Sequence, residues 1–459
     1  MNHPNDLWMN LPELVLTDIY KLLDLKDRLA ASSTCKQWRN VLFQSCFWVA
    51  VKFDTARRNV NKNDFIIEKT AHLYNKIEVY LNSTYNVTQT RRLFKRLSHS
   101  KCLHSLVIRI FACDHRTYIP SSAQEQRIAE LFVDPVIDIV QNAPIQVLDL
   151  GCYEQLALFS SKVLNNIKQL NLITKLGFAT IKRNPSEYPV GELYQMNDFK
   201  ALTNLQMISL DYDLLDESML LNFNRLKRLI IHIHGVENNH KGLSEQSWKH
   251  FKIKNPNATV RITLIRALEA IDILHTEILR PSIPLTHLRV FFCKKLNRRS
   301  LDFISIHYKY TLINIVWVDD KTEAQEDMDR DVELDVELDP FVMMSWMCIK
   351  LQDVIILGHY IDIDSVIAIA RLRGPNLRRL QVDPDCIYHI SKNLRTEVIK
   401  QIESALERSW NYSSDPIYKA MCNTRNMIHK KFFRNKFIYN IIKNDITVAK
   451  RRSGKFWMI

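Results

Sequence analysis

Apolar residues recur along most of the chain with the spacing L-x-x-L-x-L, in which other apolar residues replace leucine in several copies. Alternating apolar positions of this kind predict short β-strands with one buried face. Weaker copies start at Tyr74, Asn257 and Leu312, and the starts are on average about 30 residues apart. The eight good copies are Leu103-Leu106-Ile108, Ile145-Leu148-Leu150, Ile167-Leu170-Leu172, Leu205-Ile208-Leu210, Leu226-Leu229-Ile231, Leu285-Leu288-Val290, Leu351-Val354-Ile356 and Leu377-Leu380-Val382.

One such strand and its return segment cannot bury the apolar face, whereas stacked copies form a continuous core and a parallel sheet. The pattern therefore predicts an α/β fold over residues 70–385, in the form of an irregular leucine-rich-repeat solenoid of parallel strands and helices. The gaps between starts vary from 21 to 42 residues. A plain α/β fold with alternating strands would give several of the same matches and is the alternative.

The first 55 residues have the periodicity of helices instead of strands. Apolar residues at helical spacing predict a first helix, with Pro12 in its first turn, where the missing N–H costs nothing. Asp27 is predicted to cap a second short helix. A third helix is predicted to carry the next apolar residues, and Phe47-Trp48 closes this three-helix module. The apolar residues of the third helix are Cys35, Trp38, Val41 and Leu42.

Two further segments interrupt or follow the repeats. Residues 319–339 hold eleven acidic and two basic residues, which predicts an exposed acidic loop. Residues 394–410 have one amphipathic helical face that includes Val398, Ile402 and Trp410. A helix that caps the open end of the solenoid is the preferred interpretation, and a partner-binding helix is the alternative. The predicted domains are residues 10–55, 70–385 and 386–459.

The charge of the chain is positive and unevenly distributed. The formal net charge is +13, and residues 425–459 hold ten basic residues and one acidic residue. Aromatic residues alternate with the bases of this tail, as in proteins that bind single-stranded nucleic acid. A basic amphipathic helix packed on its own domain has the same composition. A leucine-rich-repeat scaffold and a nucleic-acid-binding protein that uses this tail are therefore kept as alternative functions and are not preferred.

The scarcity of glycine argues against nucleotide-binding folds, whose phosphate loops need glycine for tight turns. Only 8 glycines occur, and no glycine-rich phosphate loop or hydrolase motif is found. The nine cysteines have no C-x-x-C pair, which favours free thiols in a reducing compartment, cytoplasmic or nuclear. No apolar run of 18 residues or signal peptide is evident. His232 and His234 share one face of a strand, but no third ligand is evident nearby, so neither a metal nor a cofactor is predicted.

Residues 11–53 resemble the F-box in order and spacing. The pattern of that family is matched by Leu11-Pro12, by apolar residues at helical spacing, by Asp27, by the run Cys35-Lys36-Gln37-Trp38-Arg39 and by Phe47-Trp48. Three positions depart from the pattern. Arg28 stands in place of an apolar residue, Thr34 in place of valine, and Phe47 in place of leucine.

The resemblance implies binding to Skp1 and, through Skp1, to the cullin and RING subunits of a ubiquitin ligase of the SCF type. The F-box-like segment is small, and its exposed apolar side chains would gain from burial at an interface. The residues expected to bind Skp1 are Leu11, Pro12, Leu16, Ile19, Leu22, Leu23, Leu29, Cys35, Trp38 and Trp48.

A second resemblance lies near the other end of the chain. Residues 339–351 and 368–374 resemble blocks of sequence in F-box-only proteins 33 and 39, and both blocks flank the repeat that starts at Leu351. The combined resemblance implies a non-catalytic substrate adaptor, which binds a protein target through its repeats for ubiquitination and proteasomal degradation.

The sheet face of the repeats is the predicted surface for that target, because side chains between the buried apolar positions point to the opposite face. A membrane partner is not predicted. The residues expected to bind the target are Arg109, Asp149, Asn171, Asp211, His232, Arg289, Arg379 and Asp383.

Overall fold

A computed structural model describes most of the chain, with gaps between the described segments. The described residues are 8, 11–54, 60–81, 87–110, 122–182, 196–235, 240, 242–320, 339–388, 395–412, 415–446 and 457–458. The chain divides into two compact units. Unit 1 contains Met1–Lys175 and Val448–Ile459, and unit 2 contains Leu176–Thr447.

The described helices and strands alternate along most of the chain. The α-helices, numbered α1 to α18, are Glu13–Leu22, Leu25–Ser32, Lys36–Leu42, Val60–Thr70, Val87–Leu97, Ser122–Asn142, Glu154–Ala157, Ser160–Asn165, Met196–Ala201, Glu217–Asn222, Glu245–Lys254, Leu268–Asp272, Arg298–His307, Pro340–Met347, Ile363–Arg373, Arg395–Leu406, Pro416–Asn423 and Met427–Ile442. The strands, numbered β1 to β15, are Ala50–Asp54, Lys76–Leu81, Ser105–Ile110, Val147–Asp149, Lys175–Gly177, Met207–Asp211, Arg228–Ile233, Thr259–Ile265, Leu285–Phe291, Asn314–Val318, Asp353–Leu357, Ile361–Asp362, Arg379–Val382, Ile387–Tyr388 and Trp457–Met458.

Unit 1 begins with the helices α1, α2 and α3 and the short 3₁₀ turn Ser45–Phe47. We call these four elements the N-terminal module. Strand β1 follows this module directly. Within unit 1 the strands β15, β1, β2, β3 and β4 pair in that spatial order, and every pair is parallel. The alternation of buried and partly exposed residues in β1 and β2 reflects the period of two expected for strands with one core face.

Unit 2 contains a longer run of parallel strands. Strands β6 to β11 pair in chain order, and β13 adds beside β11. A separate parallel pair is formed by β12 and β14. Every residue of β6, β10 and β11 is buried, which indicates that the strands are covered on both faces.

The solenoid-like α/β fold predicted from the apolar pattern is confirmed. A described strand lies at ten of the eleven predicted repeats. The copy that starts at Ile167 is wrong, because Leu170–Leu172 forms a 3₁₀ turn. The strand there is β5. Leu176 within it and Ile173 and Phe178 on either side repeat the same spacing six residues later and are buried.

The N-terminal module has the three helices that the periodicity predicts, with one correction. The residue that caps the second helix is Asp24 and not Asp27, because the Asp24 side chain accepts a hydrogen bond of 2.8 Å from the Asp27 backbone N–H. At the other end of the chain, α16 covers most of the predicted helix 394–410. Its residues Val398 and Ile402 are buried, and Trp410 donates a hydrogen bond to the carbonyl of Leu380 in β13.

The strands of unit 2 are covered on one face by the end of the chain. Phe437 of α18 contacts Phe291 of β9, and Tyr418 of α17 donates a hydrogen bond to the carbonyl of Asp319 after β10. We call residues 415–446 the C-terminal cover. The pattern of apolar positions did not predict that this segment would lie on the sheet.

Several other expectations concern single features. Residues 321–338 of the predicted acidic loop lie outside the described residues. The cysteines that the structure describes are free thiols, of which Cys293, Cys348 and Cys386 are buried and Cys46 and Cys102 are exposed. Among the described helices, none combines the length and the apolar character that a membrane span requires.

Candidate partner-binding surface

Helix α1 has a buried face that holds the N-terminal module together. Leu16 and Tyr20 lie one turn apart and are fully buried. The Tyr20 hydroxyl donates a hydrogen bond of 2.8 Å to the carbonyl of Trp38 in α3, and its ring lies 5.9 Å from that of Trp38 and 5.7 Å from that of Phe47. This face therefore fixes the positions of α1 and α3 relative to each other.

The opposite face of α1 carries apolar side chains that the chain does not cover. Val15, Ile19 and Leu22 follow the spacing i, i+4, i+7 and so share one face. The exposed fraction is 44% for Val15 and 81% for Leu22, and Ile19 is half-buried. Leu14, beside this face, is 80% exposed. We call Leu14, Val15, Ile19 and Leu22 the apolar face of α1.

The third helix and the turn after it contribute two tryptophans with different environments. Trp38 is half-buried, and its indole N–H lies 3.0 Å from the carbonyl oxygen of Trp8. Trp48 is fully buried and donates a hydrogen bond of 2.7 Å to the carbonyl of Leu42. Its ring lies 6.0 Å from that of Tyr74, which lies two residues before the start of β2. Trp48 therefore joins the module to the first strands of unit 1.

The ten residues predicted to bind Skp1 fall into three groups in the structure according to their exposure. Pro12 and Leu22 are exposed, and Leu16 and Trp48 are buried inside unit 1. The half-buried members of the set are Leu11, Ile19, Leu23, Leu29, Cys35 and Trp38. The exposed Leu14 and Val15 were missed, because the family pattern marks neither position and the helical spacing was assigned to either Val15 or Leu16.

Comparison with known proteins agrees with this geometry. Residues 8–50, which contain all three helices, match the family model of the F-box domain. The chain has an F-box domain. Over 87% of its length it is 23% identical to F-box only protein 33 of Homo sapiens, of which the alignment covers 80%. The corresponding protein of Mus musculus is 22% identical, with 88% of this chain and 82% of that protein covered. The similarity therefore covers most of the chain and reaches into both units.

Most residues predicted to bind a target are buried instead of exposed. Arg109 and Asp149, on the neighbouring strands β3 and β4, form an ion pair of 2.5 Å in unit 1. Asp211, His232, Arg289 and Asp383 are buried in unit 2. Asn171 and Arg379 are exposed, and Arg379 also pairs with Asp353 at 2.8 Å. The expectation that these side chains all face solvent was based on alternation alone and took no account of segments that cover the sheet.

Asp211, His232 and His234 form a buried cluster in unit 2, with ligand atoms that all lie within 4.8 Å of one another. The expectation that the two histidines have no third ligand nearby was therefore wrong. Both Asp211 oxygens accept hydrogen bonds from Thr180, from its N–H at 2.9 Å and its hydroxyl at 2.6 Å. His232 Nδ1 and His234 Nε2 lie 2.8 and 3.1 Å from the Thr180 carbonyl oxygen.

The electrostatics of this cluster also disfavour a cation. The ammonium of Lys182 lies 3.8 Å from Asp211 and is fully buried. Burial lowers the pKa of both histidines, that of His234 to about 4, so both rings are neutral at pH 7. A divalent cation would have to displace Thr180 and lie beside the ammonium. The cluster is best described as a hydrogen-bonded network around Thr180.

The basic C-terminal segment, which the nucleic-acid alternative depends on, is engaged by its own unit. Lys430 and Arg434 of α18 both form ion pairs with Asp320. The Arg434 guanidinium also lies 5.2 Å from the centre of the Phe292 ring. Phe437 is buried against the strands. These contacts occupy side chains that a nucleic-acid strand would need.

Proposed function

We propose that this chain is a non-catalytic adaptor that binds Skp1 through the exposed face of its F-box and, through Skp1, the cullin and RING subunits of an SCF ubiquitin ligase. In this role the remainder of the chain holds a protein target for ubiquitination and degradation by the proteasome. The adaptor raises the effective concentration of the target near the transfer machinery and needs no cofactor.

The observation that carries the proposal is the apolar face of α1. Leu14, Val15 and Leu22 are large apolar side chains that stay exposed on a helix whose other face is fully buried. Burying each one on a partner would contribute roughly 1.5–3 kcal/mol. The same helix lies in the segment that matches the F-box model.

The buried members of the predicted set have a different role in this proposal. Leu16 and Trp48 hold the helices in place, and the accessible residues make the contact. The proposed contact residues are Leu11, Pro12, Leu14, Val15, Ile19, Leu22, Leu23, Leu29, Cys35 and Trp38.

The target would be held by the parallel-strand units, in which we propose a leucine-rich-repeat type of surface. Of the residues predicted for this role, Asn171 and Arg379 are the exposed ones, and Arg379 also pairs with Asp353. Their substitution is expected to affect target binding and to leave Skp1 binding unchanged.

The test is co-purification of Skp1 with the full chain. The double variant Val15→Glu, Leu22→Glu places two charges on the apolar face of α1 and should lose Skp1. Both side chains are exposed, so the fold should be retained, as judged by an unchanged melting temperature. The matched control is Ile253→Glu, at a side chain 76% exposed in unit 2, which should retain Skp1. Normal recovery of Skp1 with the folded double variant would refute the docking role.

A further inference from the structure

Three arginines form a diagonal row on one face of the strands in unit 2. In the parallel register, Arg228 of β7 lies opposite Thr259, and Arg261 of β8 lies two residues further along its strand than Thr259. Arg289 of β9 lies opposite Thr263, again two residues beyond Arg261. Because side chains alternate between faces with a period of two, the three guanidiniums lie on the same face.

A single acidic residue of the C-terminal cover reaches all three arginines. The Asp445 carboxylate accepts hydrogen bonds from Arg289 at 2.5 and 3.2 Å and is also bound by Arg261. The third arginine, Arg228, donates to the backbone carbonyl of Asp445 at 2.9 Å. The Asp445 side chain is buried, as are those of Arg261 and Arg289 to a large extent.

The charges in this site do not balance. Three guanidiniums face one carboxylate: Asp445 acts on Arg228 and Arg261 as the opposite charge, and the neighbouring arginines act against it. The Nε–H groups of Arg228, Arg261 and Arg289 are buried and have no hydrogen-bond partner within the described part of the chain. The site therefore has more positive charge and more donors than Asp445 can satisfy.

The pKa values of the groups in and beside the site reflect the same excess of positive charge. Burial would raise the pKa of Asp445, but Arg289 and Arg261 outweigh it and lower that pKa to about 2. Burial, together with Arg261 and Arg289, lowers the pKa of Arg228 to about 10 and that of His287 to about 2. A neutral His287 beside the row adds no positive charge, so the excess comes from the arginines alone.

We propose that Arg228, Arg261 and Arg289 form a binding site for an acidic peptide, which the chain's own Asp445 occupies in this structure. Clusters of arginine bind carboxylate and phosphate groups of peptides through paired, charge-assisted hydrogen bonds. The bidentate contact between Arg289 and Asp445 has this geometry, and it is made by a peptide segment, which favours a peptide over a nucleic acid. The site does not involve the F-box helices, so it can be tested apart from the adaptor role.

Because Asp445 of the same chain occupies the site, peptide binding is regulated by competition with this segment. The segment around Asp445 is tethered, so it competes at a high effective concentration, and only a peptide with a stronger anion or with further contacts can displace it. A phosphorylated residue in place of the aspartate carries more charge and more acceptor oxygens. The wild-type chain should therefore bind acidic peptides weakly until the C-terminal cover is displaced.

The test uses fluorescent peptides that copy residues 440–448, with Asp, phosphoserine or Asn at position 445. The full-length Asp445→Asn variant removes the competing carboxylate and should bind the Asp peptide about tenfold more tightly than the wild type. The phosphoserine peptide should bind at least as well, and the Asn peptide about tenfold more weakly. Adding Arg289→Gln should abolish the gain. Asp302→Asn, at an exposed aspartate of the same unit, is the matched control and should behave as the wild type.

Several results would overturn the proposal. One is a folded Asp445→Asn variant that binds the Asp peptide no better than the wild type does, and another is equal affinity for the Asp and Asn peptides. Tighter binding of a single-stranded RNA oligonucleotide than of the phosphoserine peptide would assign the site to nucleic acid instead. If the variant does not fold, the peptides are added to the wild type at high concentration. The Asp peptide must then raise hydrogen exchange in residues 440–446 and the Asn peptide must not, and no rise with the Asp peptide refutes the site.

Discussion

The guanidinium carbon of Arg28 lies 4.7 Å from the centre of the Phe47 ring, so two residues that depart from the F-box pattern contact each other. Both side chains are buried. An arginine in place of an apolar residue would be costly in a core, but its planar, weakly hydrated head group stacks well on an aromatic face. The phenylalanine in place of leucine provides that face. The two departures therefore compensate within one contact.

The first prediction is that Arg28 and Phe47 are energetically coupled. In a double-mutant cycle with Arg28→Met and Phe47→Leu, the double variant should be more stable than the sum of the single losses implies, by about 0.5–2 kcal/mol. Urea unfolding followed by circular dichroism measures the three variants and the wild type. Simple additivity would show that the contact contributes nothing specific.

The second prediction concerns Trp48, which we describe as part of the core instead of the docking surface. Trp48→Phe removes the hydrogen bond to Leu42 and part of the packing on Tyr74, and it should lower the free energy of unfolding by about 1–3 kcal/mol. The matched control is Trp346→Phe, at a tryptophan 61% exposed, which should change stability by less than about 0.5 kcal/mol. Equal effects of the two changes would contradict a buried role for Trp48.

The third prediction concerns Gly358, which follows β11 and has a positive φ of 79°. A Cβ atom at this position would lie 2.1 Å from the backbone oxygen of Asp319, which cannot move away as a side chain can. Gly358→Ala should therefore destabilise unit 2 by at least about 1–3 kcal/mol. Gly235→Ala, where nothing lies within 4 Å of the added methyl, serves as the control and should be neutral in thermal unfolding.

The fourth prediction is a pH dependence of stability that comes from the buried His234. Burial lowers its pKa in the folded state to about 4 from an unfolded value of 6.5. The neutral ring is favoured by folding, so its contribution is fully present above pH 6.5 and is lost as the pH falls toward 4. Other groups around it act in both directions: Asp211 raises this pKa, and Lys182 and His232 lower it.

The measurement is the urea midpoint of unfolding between pH 7.5 and 4.5. The wild type should lose stability across this range, and His234→Gln should flatten the dependence by about 1 kcal/mol per pH unit below pH 6. His250→Gln, at an exposed histidine, should leave the slope unchanged. An identical slope for wild type and His234→Gln would mean that His234 titrates normally in the folded protein.

The sequence was most informative where structure depends on local pattern. Strand residues such as Leu106 and Ile108, or Leu288 and Val290, alternate with residues on the other face, and this period of two was enough to place the strands. The prediction of a strand failed at Ile167 because the same apolar pattern recurs at Ile173. The spacing alone does not show which of the two copies pairs with a neighbouring strand. The helices of the F-box were found in the same way, together with a resemblance that spans all three.

Most of the contacts that the sequence did not predict join residues that are far apart in the chain. Arg289 and Asp445 are 156 residues apart, and no periodicity links a strand to a carboxylate in a distant segment. The same applies to Asp320 and Arg434. Strand alternation correctly separates the two faces of a sheet but does not tell which face is covered by another part of the chain. Five of the eight polar residues predicted to bind a target therefore lie on the predicted strands but are buried, whereas Asn171 lies in a 3₁₀ turn and is exposed.

The direct connection between the F-box and the first strand has a mechanical consequence. Trp48 closes the F-box and Ala50 begins β1, so a single residue, Val49, separates them, and the contact of Trp48 with Tyr74 ties the same turn to the start of β2. Such a joint has no free hinge. A protein that binds the F-box therefore also fixes the orientation of these strands. In the proposed adaptor role, the position of a target bound to these strands would be set by this direct connection and not by the flexibility of a linker.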